Sequence, residues 1–218
     1  MSIEEIKNLI GEITENTFKV IKNVYEFQKE TKPEERKSLK DVGSRIIFPR
    51  YYSHNNTSSK EEDRISEQEL RFIFVEQLNK YASEKEIDNL YYSVETPTEN
   101  MYNFQGEDPK VIERNDENSH GVSARTDLAI YTYEEQKFNR RCLIEFKALN
   151  PGKKNYEKDF FKLNTESAGL KYFIQIIKNS DNGTIKSLTD KTKSARNTQY
   201  KCYCLEDGTL IPIDTDTD

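Results

Sequence analysis

Two apolar stretches separated by a short polar one constrain this chain more than any other feature. Ala124–Tyr133 and Arg141–Ala148 are rich in β-branched, aromatic and aliphatic residues, and Glu134–Asn139 between them has the composition of a hairpin loop. A turn centred on Gln136 places Asp127 directly opposite Glu145. Side chains alternate along a strand, so Glu145 and Lys147 leave one face and Phe146 the other, with cross-strand neighbours roughly 5 Å apart at Cβ. A one-residue slip would exchange buried apolar surface for buried charge, which opposes any other register.

Two carboxylates and an ammonium on one patch repel and attract in a way that invites a partner. Close carboxylates raise each other's pKa, and an all-oxygen donor pair suits hard Mg²⁺ or Mn²⁺ better than zinc. A neighbouring lysine can orient or deprotonate an attacking water, and its charge can stabilise a developing phosphorane. The plainer expectation is a solvated cross-strand charge pair, worth under ~1 kcal/mol.

Asp127, a hairpin, and then Glu145-Phe146-Lys147 behind the apolar Cys142-Leu143-Ile144 resemble the core motif of the PD-(D/E)XK, or restriction-endonuclease-like, nuclease superfamily. The resemblance runs from about Ser66 to Ile213, with Thr126 in the place of the motif's proline and without the Gln-x-x-x-Tyr helix motif of the RecB-like branch. It implies an α/β fold with a mixed central sheet flanked by helices in the order αβββαβ. It also implies a Mg²⁺-dependent (or Mn²⁺-dependent) endonuclease of restriction or defence type, acting on DNA. Asp127 and Glu145 would hold the metal and Lys147 would position the water. A helix glutamate would assist, matched by Glu69, with Glu76 as the other candidate. The alternative is a catalytically silent binding or regulatory subunit that keeps the fold.

The rest of the chain divides around this motif. Residues 1–63 read as a helical extension and loop, 64–213 as the nuclease-like domain and 214–218 as an acidic, disordered tail. Ile3, Ile6, Ile10, Ile13, Thr17, Val20, Val24 and Phe27 alternate spacings of three and four, a heptad seam able to dock on the domain or to make a homodimer or recruit a partner subunit. Residues 43–63 read mainly as loop, where Arg45, Arg50, Tyr51 and Tyr52 could grip a nucleic-acid strand. Ser66-Glu67-Gln68-Glu69 is a capping box that starts a helix to about Ser83, with Leu70, Ile73, Phe74, Leu78 and Tyr81 as its apolar stripe. Residues 90–96 read as the first core strand, and the long acidic stretch 97–123, carrying His120, as either an insertion over the site or a mobile loop. Beyond the hairpin the expectation is a helix over 155–166 with Tyr156, Phe160, Phe161 and Leu163 inward. A strand over 170–177, a basic helix over 185–195, and strands 200–205 and 209–213 about Glu206-Asp207-Gly208 follow.

Composition narrows the setting. No apolar run reaches the ~18 residues of a membrane helix, and the start Met1-Ser2-Ile3-Glu4-Glu5 is too acidic for a targeting peptide, so a cytoplasmic protein is expected. Cys142, Cys202 and Cys204 are odd in number and sit in strands, as reduced thiols do, and no second pair or nearby histidine turns Cys-x-Cys into a zinc site. A phosphate loop of the Gly-x-x-x-x-Gly-Lys type is missing, which removes the usual NTPase signature. The formal net charge of −6 hides a basic block over 137–201, with 15 Lys and Arg against 6 Asp and Glu. Lys153, Lys154, Lys158 and Lys162 follow the motif most closely, joined by Lys171, Lys186, Lys191, Lys193 and Arg196, and are the expected backbone-phosphate contacts. If this block binds nucleic acid, affinity measured by fluorescence anisotropy should fall steeply between ~50 and ~200 mM salt. A flat response would exclude that partner.

Overall fold

A computed structural model describes residues 1–29, 39–55, 58–105, 109–112, 121–193, 195 and 197–212. In chain order the elements are α1 (Ile3–Lys29), α2 (Leu39–Val42), β1 (Arg50–Asn55), β2 (Ser58–Asp63), α3 (Glu67–Glu84), β3 (Tyr91–Asn103), β4 (Lys110–Ile112) and β5 (Val122–Glu134). There follow β6 (Lys137–Ala148), α4 (Lys153–Thr165), β7 (Leu170–Ile177), α5 (Asn182–Thr192), β8 (Gln199–Cys204) and β9 (Thr209–Ile211). Strands β3–β9 form one mixed sheet in the order β4-β3-β5-β6-β7-β8-β9, and β1 with β2 forms a separate antiparallel pair. The expected mixed α/β class is therefore what the chain adopts.

The middle of the sheet is parallel, β6 to β7 to β8, and each crossover carries a helix, α4 and then α5. Strands covered on both faces need apolar residues without alternation, and Cys142–Ile144 and Tyr172–Ile174 supply such runs. One face packs Leu128, Ile130, Ile144, Phe146 and Ile174 against α1 and α3. The other packs Ala129, Leu143 and Phe173 against Tyr156, Phe160 and Leu163 of α4 and Leu188 of α5. The three cysteines are free and buried, as expected. Among the described residues no helix is long and apolar enough to cross a membrane.

Helix α1 settles into the first of these cores. Besides the seam residues Ile6, Ile10, Ile13, Thr17, Val20 and Val24, it buries Leu9, Phe18, Ile21 and Tyr25. That stripe is wider than a two-position seam, the mark of a helix lying on a sheet rather than on one partner helix. A coiled coil through the same residues would require α1 to leave the core.

Several segments read as loops are strands. Residues 134–139 contain only a two-residue turn, Glu135-Gln136, both at positive φ (53° and 62°) as a type I′ hairpin requires. The pair lacks the Asn-Gly or Asp-Gly signature. Aromatic packing at the hairpin tip joins the two arms, with Phe138 5.1 Å from Tyr91 and 4.9 Å from Tyr133 between ring centroids. The tighter turn shifts the pairing near the tip by one residue, to Tyr131 with Arg140. A β-bulge at Arg141 then restores the expected register, so Ile130 faces Cys142 and Leu128 faces Ile144. Strand β3 runs past Pro97 to Asn103 through an irregularity and pairs with β4, so the stretch 97–123 is only in part a connection. Arg50–Asn55 is strand, not loop. The Ser66 hydroxyl meets the Glu69 carboxylate instead of the Glu69 amide. Readings that rest on His120, Arg196 and the tail 214–218 lie outside the described residues.

A buried carboxylate ties α4 to β3. Glu166, 1 % exposed, accepts from the amides of Glu99 and Asn100 (2.9 Å each), from the Tyr102 hydroxyl (2.7 Å), and pairs with Arg140 (3.0 Å). Burial alone would push its pKa up, but these donors together hold it below the ordinary value. The stabilisation is therefore present above the unfolded carboxyl pKa and is lost as pH falls through the lower folded one. Glu166→Gln should cost about 2 to 3 kcal/mol in urea denaturation at neutral pH, with the gap to wild type closing toward ~pH 3.

Candidate functional site

The sheet opens where the motif residues lie. The β5–β6 ladder ends at Leu128–Ile144, while β6 stays paired with β7 as far as Ala148–Ile176. The next place in the ladder is filled by a side chain: Asp127 Oδ2 accepts from the Phe146 amide at 2.8 Å. On the other side of β5 the pairing with β3 skips Glu95 and Asp127, and Glu95 takes φ +49° with its carboxylate on Arg71 of α3. Arg71 also lies 3.8 Å from Asp127 Oδ1. Asp127 thus sits at a split between strands, bonded to the backbone on one oxygen and faced by a guanidinium on the other.

Glu145 and Lys147 leave β6 toward α4, and Phe146 packs oppositely against Phe74 of α3, 5.3 Å between ring centroids. Glu145 is 1 % exposed, and its Oε1 lies 2.6 Å from Lys162 Nζ. Lys162 also meets Asp159 at 2.9 Å and donates to the Arg125 carbonyl at 2.8 Å. Asp159 bridges to Lys147 at 2.7 Å, and Lys147 completes its set with Glu67, 3.1 Å away on the first turn of α3. The result is a continuous chain of charge, Glu145–Lys162–Asp159–Lys147–Glu67.

Electrostatics follow from that chain. Burial pushes Glu145 well above the usual carboxylate range, Asp159 and Asp127 add to the rise, and Lys162 opposes it. Burial also raises Glu67, with Asp127 and Asp159 adding and Lys147 opposing. For Lys147 burial works against the charge, but Asp159 and Glu67 more than offset it, and the ammonium is held above its ordinary pKa. Lys162 is held up in the same way by Glu145 and Asp159. An ammonium clamped so firmly is a poor base and a strong electrostatic partner.

The structure brings Asp127, Glu145 and Lys147 to one end of the hairpin and leaves Glu69 outside. Glu69 is occupied by Ser66 and by Arg64 at 3.7 Å, and Glu76 accepts from Ser44 at 2.6 Å. Glu67 reaches the cluster in their place, two positions earlier on the same turn. Lys162, expected on a phosphate-binding surface, is buried inside the cluster, whereas Lys153, Lys154 and Lys158 are exposed. Asp159 was missed. Its signal is the recurrence Asp159, Lys162, Glu166 at helical spacing beside Tyr156, Phe160 and Leu163, a polar stripe laid along an apolar one.

Among the described residues no group of three or more His, Cys, Asp or Glu is arranged as a ready metal cage. The smaller donor set Asp127 and Glu145 still fits a hard divalent cation, which is commonly held by one or two carboxylates with water filling the shell. Glu145 Oε1 is already engaged by the Lys162 ammonium at 2.6 Å, so a cation there would have to share or displace that contact. No protein-family model, curated protein or solved structure matches the chain.

Removing the Lys162 charge should expose how the cluster is balanced. Lys162→Met should cost about 3 to 5 kcal/mol in denaturant at ~pH 8, because Glu145 and Asp159 lose a buried partner, and should cost less at ~pH 5.5 as the raised Glu145 protonates. Lys154→Met, on the exposed side, should stay within ~0.5 kcal/mol of wild type at both.

Proposed function

We propose that the chain is a metal-dependent nuclease that hydrolyses phosphodiester bonds of DNA, with the restriction-endonuclease-like core that its hairpin motif resembles. The observation that carries the reading is the convergence of Asp127, Glu145 and Lys147 at a split in the sheet, reached from α3 by Glu67 and from α4 by Asp159 and Lys162. The element order α3, β3, β5, β6, α4, β7 supports it, with β4 as an addition.

In this mechanism Asp127 and Glu145 would hold a Mg²⁺ or Mn²⁺ ion, which would supply Lewis acidity. Water attacks phosphorus, a new P–O bond forms, the ester P–O bond to the leaving sugar oxygen breaks, and that oxygen takes a proton from solvent water. Lys147 stays protonated and steadies the negative charge that builds on phosphorus. Glu67, partly exposed at the mouth and raised above the usual carboxylate range, accepts the proton of the attacking water. Asp159 orients Lys147, and Lys162 limits the charge on Glu145.

The opposing reading is a binding or regulatory subunit with the same fold and no chemistry. Its supporting observation is that Lys162 and Lys147 already neutralise the buried acids from within, as a structural ion network would.

Incubating the protein with plasmid, linear duplex, single-stranded DNA and RNA separates the two. The nuclease requires cleavage with Mg²⁺ or Mn²⁺ and none with EDTA, and no cleavage of any substrate leaves the binding subunit. Within the nuclease reading, Asp127→Ala and Glu145→Ala should abolish cleavage. Glu67→Gln should lower kcat by ~10² to 10⁴, and Glu69→Gln should change it less than ~3-fold. Cation binding competes with protonation of the raised Glu145, so the rise in melting temperature caused by Mg²⁺ should grow between ~pH 5.5 and ~8 and vanish in Glu145→Ala.

A further inference from the structure

The residue two places after Lys147 pays a conformational cost that the fold does not explain. Among the described residues, six other than glycine have positive φ: Glu86, Glu95, Glu135, Gln136, Leu149 and Asn197. Leu149, at φ +61°, is the only apolar one, and no turn requires a leucine there. Packing accounts for it only in part, because the residue is 42 % exposed. Glycine or asparagine would hold the same backbone with less strain and no exposed apolar surface.

That backbone is nonetheless held firmly. The Leu149 amide donates to the Ile176 carbonyl at 2.7 Å, extending the β6–β7 pairing past Ala148. Its carbonyl accepts from the side-chain amide of Gln175, a residue with no exposure that lies beside Lys147 in the ladder. Gln175 is fixed in turn by the Tyr156 and Tyr200 hydroxyls. Two residues on, the Pro151 carbonyl accepts from Lys191 at 2.8 Å. Strain persists where the surroundings over-determine it, and such places gather at ligand contacts. Here a buried polar network fixes the backbone of a half-exposed apolar residue that lies in the chain between Lys147 and the exposed Lys153 and Lys154.

We propose that Leu149 is a substrate-contacting wedge, which packs against a base of the DNA strand beside the scissile phosphate and unstacks it. The proposal rests on the nuclease reading for its substrate. It explains why leucine stands where the backbone favours glycine: apolar side chains pressed between base steps open them, and an anchored one does so without losing freedom on binding. The neighbouring lysines give the phosphates on either side their counter-charge.

The test uses Leu149→Asn, which tolerates the left-handed backbone and keeps a similar size, and Leu149→Gly beside it. Duplex oligonucleotides carrying single 2-aminopurine bases at successive positions are titrated with wild type and with each variant. Fluorescence reports unstacking and anisotropy reports affinity. Wild type should brighten the probe at one or two positions, both variants should lose that brightening and bind ~10-fold more weakly, and melting temperature should hold or rise in Leu149→Asn. Equal brightening in wild type and variants, none in wild type, or a fall of several degrees in Leu149→Asn overturns the wedge, the last by showing Leu149 to be a packing residue. Binding and brightening without cleavage under any metal would leave the wedge standing and remove the nuclease.

Discussion

The hydrogen bond from the Phe146 amide to the Asp127 carboxylate is the interaction on which the site depends. Inter-strand pairing normally continues until a strand ends, yet here a side chain takes the place of the next backbone acceptor and β5 parts from β6 while β6 stays with β7. The split gives Asp127 a position between strands rather than above or below them. It leaves room for α3 to reach in with Arg71 and Glu67 from one side and for α4 to reach in with Asp159 and Lys162 from the other.

Charges gathered in so dry a place need mutual support. Glu145, Asp159 and the two lysines are each less than a tenth exposed, and any of them alone would be driven toward its neutral form. Alternating acid and base along one chain of contacts keeps the ammonium groups charged and gives each buried acid a cation. The opposite face of β6 stays apolar, with Phe146 against Phe74, so the strand separates a hydrophobic core from an ionic one by the width of its own backbone.

Much of this was legible residue by residue. The alternation of Glu145, Phe146 and Lys147 settles which side each takes, because a strand's period of two admits no compromise once one face is apolar. The heptad pattern of α1, the stripe of α3 and the strand over 170–177 all follow from apolar periodicity. The register beyond the bulge, with Leu128 facing Ile144, was also correctly read, but through a compensation that the sequence does not announce: a two-residue turn moves the pairing by one, and the bulge at Arg141 moves it back. Glu-Gln is not a turn signature, and its positive φ values are sustained by strands and aromatic rings that pack only after the hairpin closes.

By itself, then, the sequence determined the main helices and the central strands, their apolar faces and the placement of three charged residues on one hairpin, because local periodicity and strand alternation are properties of neighbours in the chain. Which further residues join them was decided by tertiary structure. Glu67 rather than Glu69 reaches Lys147, because the packing of α3 on the sheet brings that position of its first turn to the cluster while Glu69 stays with Ser66 and Arg64. Lys162 points inward rather than to solvent, because the crossover from β6 to β7 lays α4 over Glu145, and a buried carboxylate there makes burial of an ammonium favourable. Those choices depend on distances between elements far apart in the chain, which no periodicity encodes.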